Sequence, residues 1–156
     1  SAQLNHPYLP WAKGWSGQVD LEGGKTLTLQ ATKTEKVNEV HCLVITATTT
    51  NGFWATRWLA RDKKGTIRIM REKRNQQSVD LIQPFLPSVP EAGWKSWTNA
   101  SAIPDNYAVV SNLTSKVRLQ SGQILENCIR LIVHSAEGTF IEYYAKEKGL
   151  VRIEKQ

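Results

Sequence analysis

ILENCIRLIVHSAEGTFIEYYAKEKGLVRIE, residues 124–154, decides the fold. β-Branched and aromatic residues crowd the run up to Ser135, and a tight Ala136-Glu137-Gly138 turn reverses it. A second run reaches Lys146, and Gly149 sets off Leu150-Val151-Arg152-Ile153. This reads as two long strands and a short third. Such a meander cannot bury a face alone, so the rest of the chain is expected to supply partner strands.

Upstream, the same grammar repeats. Gln18–Leu21 and Thr26–Lys33 flank Glu22-Gly23-Gly24-Lys25, and Leu27, Leu29 and Ala31 alternate with polar residues at the period of a half-buried strand. EVHCLVITATTT (39–50) ends at Asn51-Gly52, a short hairpin signal, and FWATRWLA (53–60) turns near Asp62-Lys63-Lys64-Gly65 into TIRIMREKR (66–74). YAVVSNL and SKVRLQ resume after Tyr107. With no helical period between them, a plan of parallel strands joined by helical crossovers is disfavoured. The expectation is an all-β chain, an antiparallel meander of about ten strands curled into a half-barrel or sandwich.

Two segments depart from this pattern. Residues 1–17 form a lead-in punctuated by Pro7, Pro10 and Gly14, and residues 75–106 carry Pro84, Pro87, Pro90 and Pro104. The second is expected to be mostly irregular, with a short strand near Ser78–Phe85, serving either as a lid over an open end or as a binding segment.

Size and composition narrow the class. A chain of 156 residues, 40% hydrophobic, fits one domain, 1–156. No apolar run approaches the ~18–20 residues that a membrane-spanning helix needs. The opening Ser1-Ala2-Gln3 in place of Met suggests a trimmed chain from which any export signal is already gone, so the start of the sequence gives no compartment.

Gly138, Thr139, Phe140, Glu142, Tyr143, Tyr144, Ala145, Gly149, Leu150, Val151 and Arg152 resemble the closing signature of a family of bacterial exported, lipoprotein-like domains of unknown function. Asn127-Cys128-Ile129-Arg130, the opening Tyr8, Pro10, Gly14 and Trp15, and the stretch from Pro84 to Gly93-Trp94 are similar to that family's other landmarks. The resemblance implies a curved antiparallel sheet, an extracytoplasmic address in the periplasm or cell envelope, and no established catalysis.

Several residues are candidates for chemistry. Cys42 and Cys128 permit one disulfide, closing a loop of roughly 85 residues for about 4–5 kcal/mol in the chain-entropy model; the alternative is two buried free thiols. His41 and Cys42 point to opposite faces of a strand, and Cys128 and His134 lie ~20 Å apart along one, so no metal site is expected from these four. No catalytic motif and no cofactor motif is present. Asn99-Ala-Ser101 and Asn112-Leu-Thr114 match the glycosylation sequon, which is silent in a bacterial setting.

Residues 57–74 hold eight basic residues against two acidic ones, a balance equal to the net +6 of the whole chain. Arg57, Arg61, Arg68, Arg71 and Arg74 could therefore dock an anionic partner, or simply solubilise an edge hairpin. A two-residue turn at Lys63-Lys64 would pair Trp58 with Ile69 and gather arginines on one face, whereas a three-residue loop with Gly65 left-handed shifts the register by one. Trp54 and Trp58, expected on one face, either present a flat platform or fill the core; Trp94 and Trp97 are the expected exposed pair. Nucleic acid is disfavoured, since charge outside this hairpin is balanced.

The function implied is a non-catalytic exported domain binding a ligand or protein partner on its concave face or through 75–106. One alternative is a glycan-binding module on Trp54, Trp58, Trp94 and Trp97. Another is an enzyme with a strand-built site, whose sign would be three or more titratable groups converging in a pocket.

Overall fold

The structure, a computed structural model, describes residues 3–99 and 101–156; Ser1-Ala2, Ala100 of the first sequon and the Phe53 side chain lie outside the described residues. Ten strands follow one another: β1 (Ser16–Leu21), β2 (Thr26–Val37), β3 (Val40–Thr49), β4 (Gly52–Arg61), β5 (Ile67–Arg74), β6 (Gln77–Leu86), β7 (Tyr107–Arg118), β8 (Ile124–Ser135), β9 (Gly138–Ala145) and β10 (Gly149–Lys155). They form one sheet in the order β6-β5-β4-β3-β2-β1-β10-β9-β8-β7. Except for β6 and β7, sequential strands pair antiparallel, as the turn spacing requires. The single parallel contact joins the first strand to the last, with Asp20 opposite Arg152 and Leu21 opposite Ile153. The sheet is thus mixed and curls into a half-barrel whose two edges, β6 and β7, approach each other without sharing a ladder.

Alternation along the strands fills the concave side. Leu27, Leu29 and Ala31 of β2, Leu43, Ile45 and Ala47 of β3, and Ile129, Leu131 and Val133 of β8 join one buried cluster, as side chains two residues apart must when one face is dry. The β4/β5 connection takes the three-residue form. Gly65 sits at φ +85°, the Asp62 carboxylate accepts from the Lys64 and Thr66 amides, and Leu59, not Trp58, lies opposite Ile69. The glycine prevails over the two-residue alternative because a left-handed residue is needed to close this loop.

The lead-in seals the lower end, where the β4/β5 and β9/β10 turns lie. Leu4, Leu9 and Trp11 are buried against the barrel core, and Gly149 passes so close under Trp11 that a Cβ there would stand 2.5 Å from the indole. Arg61 clamps the segment from β4, donating to the Asn5 carbonyl at 2.8 Å and to the Gly65 carbonyl at 3.0 Å. His6 is fully buried. Its Nδ1 accepts the Tyr8 amide at 3.0 Å, so its Nε2 carries the proton and donates to the Pro87 carbonyl at 2.8 Å.

The outer face carries two smaller cores. A register shift after Ala31 goes with a β2/β3 hairpin whose Val37 joins Cys42, Val44, Trp58, Ala60 and Met70 in a buried cluster. Three shifts between Val110 and Val117, with Asn127 at φ +55°, bend the β7/β8 hairpin so that Val117 joins Cys128, Ala145 and Val151. The two cysteines therefore belong to separate clusters on β3 and β8, five strand spacings apart, and both are free and buried. Of the two readings the sequence left open, one disulfide or two buried free thiols, the structure has the second. Burial pushes both thiols above their ordinary pKa. In the proline-rich segment the strand expected near Ser78–Phe85 is β6, one residue longer at each end, with Pro84 tolerated on this edge strand, and 87–106 holds the irregular part.

His6 makes the lower closure sensitive to pH. Burial, with some help from the charge of Arg61, holds its folded-state pKa below the ordinary 6.5, against the pull of the Pro87 hydrogen bond. As pH falls, the unfolded chain takes the proton first, so this stabilisation is complete above about 6.5 and is lost as pH drops through the folded-state value. Urea unfolding at pH 7, 6 and 5 should show stability declining with pH, and His6→Asn, which can still donate and accept, should reduce that slope.

Candidate functional site

Arg57 projects into the barrel between Ala55 and Leu59 on β4, an inward position for a residue type that is seldom buried unpaired. Across the interior, Glu142 of β9 is 2% exposed and accepts both guanidinium arms of Arg57, at 2.8 Å and 3.0 Å. The Arg57 Nε donates to Glu72 at 2.9 Å, Arg74 donates to the other oxygen of Glu72 at 2.9 Å, and the Tyr144 hydroxyl donates to Glu142 at 2.6 Å. Burial alone would lower the Arg57 pKa and raise that of Glu72, but the opposite charges win, holding Arg57 well above its ordinary value and Glu72 below its own. Burial and the Glu142 carboxylate push the Tyr144 phenol well above its usual range. The cluster sets two arginines against two glutamates.

Five titratable groups thus converge, yet they are consumed by one another. Each carboxylate accepts from an arginine, and the Tyr144 hydroxyl is spent on Glu142. The free space beside them is small: cavities of about 30 Å³ and 20 Å³, room for a water or two. The concave face expected to take a ligand is packed.

The free volume lies at the upper end and along the open edge. A groove of about 450 Å³ runs between Val79–Pro84 of β6 and Ser96 with Pro104–Asn106, within the size range of ligand sites. It continues into a 240 Å³ recess that shares Val79, Leu81, Asp105 and Asn106 and reaches down to Glu72 and Arg74. Val79 and Ile82, which line it, are 53% and 48% exposed. A second depression, of about 520 Å³, sits on the upper rim between Lys25, Thr49–Asn51 and Trp54.

The residues singled out from sequence are spread over several places: both tryptophans of β4 pack in cores, as one reading had it, and the arginines are mixed between faces, as the three-residue loop implies. The five arginines do not share a face: Arg57 and Arg74 point into the barrel cluster and Arg61 into the lower closure, while Arg68 bonds Asp62 at 2.9 Å and Arg71 pairs with Asp80 and lies over Trp58. Each has a carboxylate or carbonyl partner, which leaves none of them an uncommitted cation. A register shift opposite Ala47 and Thr48 places an extra residue in β4 at Trp54, so Trp54 packs on the inner core and Trp58 on the outer one. They form no common platform. Trp94 packs on the core and Trp97 rests on Tyr107 at 4.8 Å, so neither is the exposed residue expected. Sequence reading missed Glu142 and Tyr144, although their alternation with Phe140 on the inward side of β9 carried the signal, a glutamate in phase with two aromatics, Tyr144 buried and Phe140 partly buried.

Removing one partner from this cluster should be costly. Arg57→Met leaves Glu142 without its cation and Glu72 with Arg74 alone, and denaturant unfolding should show a loss of about 3–5 kcal/mol. Adding Glu142→Gln, which keeps an acceptor for Tyr144, should recover part of that loss.

Comparisons of the chain with protein-family models, with curated proteins and with solved structures give no match.

Proposed function

We propose that this chain is a binding domain without chemistry of its own, and that its site is the groove along the open edge between β6 and the 96–106 stretch. An extracytoplasmic setting belongs to the same proposal, on the strength of the resemblance carried by residues 138–152. The observation behind the site is the distribution of free space. The interior offers about 30 Å³ and the edge about 450 Å³, beside apolar side chains that the fold leaves in water. The absence of catalysis rests on the inner cluster, where every carboxylate is already held by an arginine and so no group is poised to move a proton.

A glycan at the upper rim is the second reading, favoured by the 520 Å³ depression in which Trp54 stands beside Thr49, Thr50 and Asn51. Aromatic side chains with flanking hydroxyl and amide groups suit a sugar face.

Titration of isotope-labelled protein with a set of small aromatic and aliphatic fragments and, separately, with neutral oligosaccharides distinguishes the two. The expected result is fragment-induced shifts at the backbone amides of 79–83 and 105–106, weakened by Val79→Glu, with Ile45 and Leu131 unmoved. Shifts confined to Thr49–Trp54 with the oligosaccharides would move the site to the rim. Shifts centred on the interior residues would end the edge-groove reading.

A further inference from the structure

The two edges of this sheet are treated differently. The edge of β7 is already occupied, because residues 93–96 lie along it as a short extended segment. The Gly93 amide donates to the Val110 carbonyl at 2.7 Å, Val110 to the Trp94 carbonyl at 2.9 Å, and Ser96 to the Ala108 carbonyl at 3.0 Å. The edge of β6 has no such cover. The β5/β6 turn passes through Asn75 at φ +48° and Gln76 at φ +66°, a two-residue loop with both residues left-handed. In that turn type Arg74 and Gln77 form the hydrogen-bonded pair nearest the loop, and bonded and non-bonded pairs then alternate. With Lys73 opposite Ser78, Glu72 opposite Val79 and Arg71 opposite Asp80, the Val79 backbone bonds to β5, while Ser78 and Asp80 aim their N–H and C=O groups away from it, toward the groove. Neither of these two residues has another backbone partner among the described residues.

We propose that this edge takes an extended, basic segment of a partner polypeptide as an added strand, seated in the groove; the inference rests on the edge groove being the binding site. The length is set by the chain itself. Ile82 at φ +48° and Pro84, which has no amide hydrogen, end the regular edge, so the docking strand engages Gln77–Leu81. The mode is the one the β7 edge already displays with residues 93–96. Val79 and Leu81, which line the groove, offer apolar contact for alternate side chains of the incoming strand. Charge sets the partner's sign. Asp80 is neutralised by Arg71, and Glu72 by Arg57 and Arg74, which leaves Asp105 and Glu137 as the carboxylates lining the groove and its recess that have no partner among the described residues. In a chain of net charge +6, this groove is locally acidic.

The test uses the full chain and an eight-residue synthetic peptide of alternating valine and threonine carrying two lysines, capped at both ends. Three comparisons accompany it: the same peptide with one or the other alternate set of amide nitrogens methylated, the same peptide with glutamates in place of the lysines, and the Ser78→Pro protein. Proline is tolerated where an edge amide faces away from the sheet, so this variant should keep the native melting temperature. The expected result is saturable binding that shifts the Ser78 and Asp80 amides and slows their hydrogen exchange. One set of methylated amides, and Ser78→Pro, should weaken binding by about tenfold or more, the loss of one or two backbone hydrogen bonds. The glutamate peptide should bind more weakly than the lysine peptide, with the gap closing as salt is raised.

Equal binding by both methylated peptides, unchanged binding to Ser78→Pro, or no peptide binding at all would overturn strand addition. A concentration-dependent dimer that protects the Ser78 and Asp80 amides without peptide would assign the edge to a second copy of this chain, and would also overturn it. If fragments still shift residues 79–83 while every peptide fails, the edge groove survives and the strand partner does not. If the fragments also leave those residues unmoved, both readings fall together.

Discussion

The parallel contact between β1 and β10 is the constraint on which the rest depends. It joins two ends of the chain that are more than a hundred residues apart in sequence, and it turns two local meanders, β1–β6 and β7–β10, into one curved sheet. Forming such a contact means closing a very long loop, a cost that grows only slowly with length and is offset by the apolar interior that the curl creates. Asp20 and Glu22 flank the junction and are used from outside it: Asp20 accepts from the Gln120 amide and Glu22 from the Lys155 amide. The bent β7/β8 hairpin thereby braces the outside of the closure that the sheet makes from within.

Once the sheet is curled, its interior has to be filled, and the filling explains the unusual charges. Leucine, isoleucine and valine supply most of it, with Trp11 and the lead-in stopping the lower end. Toward the open edge the inner wall is polar: Arg57, Glu72, Arg74 and Glu142, with Trp54 and Phe140 against the Arg74 guanidinium. A purely apolar lining at that level would sit next to a gap that water can reach. An ionic cluster suits this boundary better, since it ties β4, β5 and β9 together across the barrel and engages all three nitrogens of Arg57. Its value is as a brace of defined geometry, because net stabilisation from buried pairs is small relative to well-packed hydrophobic side chains.

The strands, their order along the chain and the turns were legible from sequence because those depend on neighbours: period-two alternation, glycine at left-handed positions, short loops. Even the β4/β5 register was present in Gly65, once its conformational requirement was weighed above the hydrophobic pattern. The parallel junction was not legible, since nothing local in Asp20-Leu21 or Arg152-Ile153 announces a partner on the far side of the chain. Bulges were equally silent, and one extra residue at Trp54 was enough to move it to the opposite face from Trp58. The arginine hairpin misled for a different reason. Counting charge along 57–74 ignores carboxylates supplied from elsewhere, and Glu142, 85 residues away from Arg57, is the decisive one.

The inner cluster also bears on why the β6 edge stays open. Glu72 and Arg74 belong to β5, the last strand with a neighbour on each side, and their side chains are held inward by Arg57 and by the Trp54 and Phe140 rings. That fixes β5 and, through the tight Asn75-Gln76 turn, fixes the start of β6 as well, without needing a strand on the far side of β6. The β7 edge has no such internal anchor at its upper end and is covered by residues 93–96 instead. Exposed edges are normally short or blunted because they invite other strands. Here Ile82 and Pro84 blunt the lower half of β6, while Ser78 and Asp80 above them stay in regular pairing geometry with outward groups unspent. Blunting applied to half of an edge, with the other half held straight by a charge network behind it, limits the length of strand that can be accepted there and sets its register.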